Sequence, residues 1–111
     1  MNKQGNRDNM TDKTYTVIVE EPAYYDLRNI FLYIANDSQL IAEQVQKDLL
    51  AQMKTLQNFP ESHSVVLVVR NYEIRHLVFK KGFRILYTIK DNEVHILHCF
   101  RCEQNLSDDL F

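Results

Sequence analysis

Glu73–Phe100, EIRHLVFKKGFRILYTIKDNEVHILHCF, decides how this chain folds. It holds three runs rich in β-branched and aromatic residues: Ile74–Phe79, Phe83–Ile89 and Val94–Phe100. Lys80-Lys81-Gly82 parts the first two, and Lys90-Asp91-Asn92-Glu93 parts the last two. Runs of this composition bounded by turn residues read as strands. Loops so short join only antiparallel neighbours, which predicts a meander. Alternation sets Phe83, Ile85, Tyr87 and Ile89 on one face of the middle strand, with Arg84, Leu86 and Thr88 on the other. A guanidinium held on a sheet face between apolar neighbours asks for a role.

Upstream, Thr14–Glu20 alternates as a further strand, and Pro22 suits the first position of a helix, where no N–H is needed. Leu27, Ile30, Phe31 and Ile34 recur at helical spacing in Ala23–Ala35. Asn36-Asp37-Ser38 ends that helix, and Asp37 or Ser38 can cap the next. Ala42, Val45, Leu49, Met53 and Leu56 form the stripe of the second helix, which Pro60 is expected to close. A link this short makes the helices an antiparallel hairpin. Their stripe needs a surface to cover, and the sheet supplies one. Val65–Val69 is an apolar run of strand length, with Arg70-Asn71-Tyr72 as the break before the meander. The order is β-α-α-β-β-β-β in two layers, an α+β fold. Residues 1–13 are polar and expected to be disordered, Met10 is a candidate start, and the folded domain is placed at 14–107. Residues 108–111 form a tail, with a short helix from Ser107 as an option.

The chain has 111 residues, 45% of them hydrophobic, enough for one domain with one core. Its net charge of −2 conceals an asymmetry. Six Lys/Arg lie between Arg70 and Lys90 against Glu73 alone, whereas Glu20–Glu61 carries seven acids against three bases. A basic sheet region on an otherwise acidic chain points to an anionic partner or to a solvated hairpin. No apolar run reaches the length of a membrane span, and the N-terminus lacks the apolar centre of a signal peptide. Two cysteines three positions apart make no disulfide framework. Together these predict a cytoplasmic protein.

Four stretches, in this order and spacing, carry a family resemblance: EEPAYYDLRNIFLYIA at 20–35, LQNFPES at 56–62, R-x-L-V-x-x-x-G-F-R-I-L-Y from Arg75 to Tyr87, and VHILHC at 94–99. Over about residues 14–107 the chain resembles the RelE/ParE superfamily of toxins from type II toxin–antitoxin pairs, the plasmid stabilisation type. The resemblance implies a curved, largely antiparallel sheet in the order 1-5-4-3-2. It also implies a helical hairpin on one face, with the other face open and concave. A cognate antitoxin is the implied partner. The ParE-like arm implies growth inhibition by binding DNA gyrase, with no hydrolytic residues. The alternatives are a ribosome-dependent mRNA endonuclease and a non-toxic member that only binds a partner.

For the nuclease alternative the resemblance makes Arg84 and Arg75 the candidate catalytic residues. A guanidinium fork suits phosphate oxygens and keeps its charge. The two must then share a face, which the register across Lys80–Phe83 decides. Tyr72, Glu73, His76 and Arg101 are the candidates for the acid and base. Leu77 stands where some relatives carry a second Lys, and the chain ends on the acidic Asp108-Asp109-Leu110-Phe111, departures that lean toward the binding arm. Arg101 and Cys102 stand where many ParE-like relatives carry His and Gly, so a different backbone turn is expected there. Arg75, Lys80, Lys81, Arg84 and Arg101 are the candidate partner-binding set. Cys99 and Cys102 form a C-x-x-C near His95 and His98. Alternation separates His95 and Cys99 from His98, so Cys99 reads as a small core residue. Tyr24, Tyr25 and Tyr33 read as amphipathic packing of the first helix. No phosphate loop, nucleophile elbow or zinc-finger spacing occurs, and no metal or cofactor is expected.

Overall fold

A computed structural model describes residues 14–79 and 82–101. The expectations for residues 1–13 and Met10, for Lys80 and Lys81, and for Cys102 and the C-terminal tail lie outside the described residues. The elements are β1 (Thr16–Val19), α1 (Glu21–Ala35), α2 (Gln39–Lys54), β2 (Val65–Val69), β3 (Tyr72–Phe79), β4 (Phe83–Lys90) and β5 (Glu93–Arg101). They form one five-stranded sheet in the order β1-β5-β4-β3-β2. β1 runs parallel to β5, and the other neighbours are antiparallel.

Local chemistry accounts for the helices. Pro22 sits in the first turn of α1, and Ser38 caps α2 by accepting a hydrogen bond from the Ile41 N–H at 3.2 Å. Ala42, Val45, Leu49, Met53 and Leu56 are all buried, as their spacing predicts. With Ala23 and Leu27, the last four of these meet Leu77, Phe83, Ile85, Tyr87, Val94, Ile96 and Cys99 in one core. The expected end of the second helix is corrected. The α-helix stops at Lys54, and the 3₁₀ turns Thr55–Gln57 and Pro60–Ser62 follow. Between them Phe59 takes a left-handed conformation at φ 53°, uncommon for an aromatic residue. That twist drives Pro60 into the core, where its carbonyl accepts a 2.5 Å hydrogen bond from the Tyr87 hydroxyl.

Two features of register position everything that follows. Arg70 and Asn71 both have positive φ (50° and 73°), the mark of a two-residue mirror-type hairpin loop, so Tyr72 already belongs to β3. In β5, Leu86 faces His98 while Tyr87 faces Ile96, which makes Leu97 an extra residue in a bulge. The bulge overturns the expectation from alternation. His95, opposite Thr88, and His98, opposite Leu86, share the face away from the helices, while Cys99, opposite Ile85, faces the core.

Candidate functional site

The register of the β3–β4 hairpin places the two candidate arginines. Val78 pairs with Arg84, and Arg75 pairs with Tyr87. Directly opposed residues share a face, so Arg84 lies on the face away from the helices with His76, Leu86 and Phe100, and Arg75 on the helix side. The register left open by the sequence thus sets the two arginines on opposite faces, one residue of register apart. Arg84 is also only 6% exposed, between Val78 and Phe100 on the flanking strands.

Arg75 is engaged in building the fold. One guanidinium nitrogen donates to the carbonyls of Glu61 (2.9 Å) and His63 (2.6 Å), and another meets Glu73 at 3.3 Å. The Tyr15 hydroxyl donates to the Glu61 carboxylate at 2.9 Å, and His63 meets the Tyr87 ring edge-on at 6.2 Å. These contacts hold segment 60–64 against the sheet. Beside them lies a cavity of about 360 Å³ lined by Glu61, Asn71, Tyr72, Glu73, Arg75 and Ile89. Burial pushes the Tyr87 phenol up to about 12, with the Arg75 charge opposing, so it stays a hydrogen-bond donor. Burial, and then the Arg75 charge, lower the pKa of His63.

The remaining candidates disperse. His76 shares the face away from the helices with Arg84; burial first, then the charge of Arg84 and His63, lowers its pKa and favours the neutral ring. His95 lies between two carboxylates, Nδ1 at 2.6 Å from Glu20 and Nε2 at 2.9 Å from Glu93. Both nitrogens can donate only in the imidazolium, and the hydrogen bond to Glu20 leads in raising its pKa. A cavity of about 220 Å³ opens beside it, lined by Tyr72, Thr88, Lys90 and Leu97 as well. His98 reaches Asp26 of α1 at 2.9 Å and stacks on Phe100, and the same carboxylate oxygen accepts the Cys99 N–H. Arg101 lies 5.4 Å from the ring centre of Tyr33, at the helix side. Thus Arg75, Arg84 and Arg101 form no common patch. Among the described residues no cluster of His, Cys, Asp and Glu could hold a metal ion. No helix among them is long and apolar enough to cross a membrane.

The feature that sequence reasoning missed is the outer side of the helical hairpin. Tyr24, Tyr25 and Tyr33 are more than half exposed instead of packed. A groove of about 310 Å³ runs between the helices, lined by Tyr24, Leu27, Arg28, Phe31, Leu32, Gln46 and Leu50. Leu32 and Leu50 stand 56% and 46% exposed on its walls. The available signal was an excess of apolar residues in α1, which carries far more than one buried stripe requires.

Comparison with known proteins bears on this arrangement. A family model described as the ParE toxin of type II toxin-antitoxin system, parDE, matches residues 17–106. No sequence among curated proteins matches the chain. Among solved structures it is similar to a chain of the chromosomal ParDE TA system from P. aeruginosa. The TM-score is 0.69 at 22% identity, with 82% of this chain and 99% of that chain covered. A second similar chain comes from the toxin-antitoxin complex RelBE2 of Mycobacterium tuberculosis, with TM-score 0.57, 18% identity and 79% and 91% covered. At these identities the two structures speak for the fold.

Proposed function

Since the chain belongs to the ParE toxin family of type II toxin–antitoxin systems, we propose that it arrests growth by binding a target such as DNA gyrase and is neutralised by a cognate antitoxin seated on the helical hairpin. The observation that supports binding over RNA cleavage is the β3–β4 register. Arg75 is occupied on the helix side by the carbonyls of Glu61 and His63, and Arg84 is buried on the other face. A phosphate cannot bridge guanidinium groups on opposite sides of a sheet. The antitoxin is placed on the hairpin because its groove offers exposed Leu32 and Leu50 with Arg28 at hand. An amphipathic segment bearing an acidic residue fits such a surface, apolar anchors in the groove and carboxylate toward Arg28. Action on gyrase or on ribosomes would place the protein in the cytoplasm.

The second reading, ribosome-dependent cleavage of mRNA, draws on one feature. His76, its neutral ring favoured, shares a face with Arg84 and has the character of a proton acceptor. Regulated expression with and without the neighbouring gene, reading DNA topology and transcripts together, separates the two. Gyrase-linked DNA changes without phased cuts are expected. Ribosome-phased mRNA cuts that vanish in Arg84→Ala, with antitoxin binding intact, would overturn the binding reading. For the groove, Leu32→Glu and Leu50→Glu should each weaken antitoxin binding about tenfold or more. Unchanged affinity in both would place the antitoxin elsewhere.

A further inference from the structure

β2 is the edge of the sheet opposite to β1, and among the described residues no strand lies beyond it. Its residues, Val65-Val66-Leu67-Val68-Val69, are all apolar, and the four valines are 37–60% exposed. An edge strand presents a row of unpaired N–H and C=O groups, and soluble proteins commonly guard it with Lys, Pro or an inward charge. β2 itself carries none of these; among the described residues its guard is an irregularity of pairing between Val65 and Leu67.

We propose that the free chain self-associates through this edge, two copies pairing antiparallel about Leu67 so that their sheets run on as one. The occupant is argued from the sequence of the strand itself, which reads the same in both directions. A two-fold axis at Leu67 therefore sets valine against valine and leucine against leucine, the self-complementarity that an isologous interface needs. The flanks agree in charge. Arg70 falls opposite Ser64 of the second copy, and Asn71 opposite His63, so no like charges meet. A strand without charge offers a foreign acidic or basic segment no electrostatic preference, whereas its own copy matches it side chain for side chain. Because the strand is short and irregular at its start, the contact is small and the dimer concentration-dependent. The inference stands apart from the toxin reading, since it concerns the isolated chain alone.

Sedimentation velocity of the full chain, purified without any partner over a wide concentration range, tests it. A reversible monomer–dimer equilibrium is expected. Val68→Lys, at an exposed position, should raise the dissociation constant roughly tenfold or more, since it sets a charge in the new seam. In a Cys102→Ser background, Leu67→Cys should cross-link to a covalent dimer under mild oxidation, and Tyr25→Cys on α1 should not. A chain that stays monomeric throughout would overturn the proposal. So would a dimer that Val68→Lys leaves unchanged, or cross-linking equal at both cysteines.

Discussion

β4 and β2 differ in composition and differ the other way in burial. β4 carries Arg84 and Thr88, yet its six residues from Phe83 to Thr88 are all buried, on both faces. β2 is made only of valine and leucine, yet stands largely in solvent. The reason is position. β4 is the middle strand, between β5 and β3, with the helices over one face, whereas β2 has a neighbour on one side only. Apolarity tells what a strand can bury; its place in the sheet decides what it does bury.

Equivalent changes in the two strands should therefore have unequal effects. Ile85→Ala, at a fully buried position of β4, should cost about 2–5 kcal/mol in chemical denaturation, through lost burial and the cavity left behind. A loss below about 1 kcal/mol would mean that the core closes over the gap. Tyr87→Phe in the same strand keeps the ring and removes the donor to the Pro60 carbonyl, so about 1–2 kcal/mol is expected. If denaturation midpoints coincide, another donor has replaced the hydroxyl.

A smaller effect is expected at His95, one strand over. Its pKa is raised in the fold, so its contribution is complete below the unfolded value of 6.5 and is lost as the pH rises through the folded value. His63 and His76 act in the opposite sense. Their lowered pKa values cost stability as the pH falls below 6.5, which separates the two windows. Glu20→Gln should flatten the loss of thermal stability above 6.5 and leave the acid side alone; an unaltered alkaline slope would show that Glu20 does not hold the imidazolium. Smallest of all, Val68→Ala in β2 should shift stability of the isolated monomer by no more than about 0.5 kcal/mol. A larger loss at low protein concentration would mean that this edge is packed in solution.

Much of the frame was legible in the sequence. The stripe from Ala42 to Leu56, the Ser38 cap, the start at Pro22 and the meander all follow from spacing and turn chemistry. So did the face of Arg84, opposite to Phe83, Ile85 and Tyr87. The site was harder to read because it depends on parity. Whether Arg75 joins Arg84 turns on one residue of register, and no side chain in the hairpin announces that choice. The bulge at Leu97 likewise leaves no mark in composition, yet it moves His95 to the face of His98. The tyrosines of α1 misled because a helical period shows which residues can be covered, not how wide the cover is.

The extra residue at Leu97 also lets the end of β5 be read in two ways. A chain that kept Leu97 but lost the bulge would slip the last part of the strand by one residue and turn it over, carrying the Cys99 sulfur out toward water and the Phe100 ring in toward the helices. Cys99 should then react with thiol reagents from which the intact fold now shields it. A chain lacking Leu97 would instead alternate regularly from Ile96 to His98 and keep the present faces, so homologous chains differing by one residue here can share one surface and must be aligned by what lies inside.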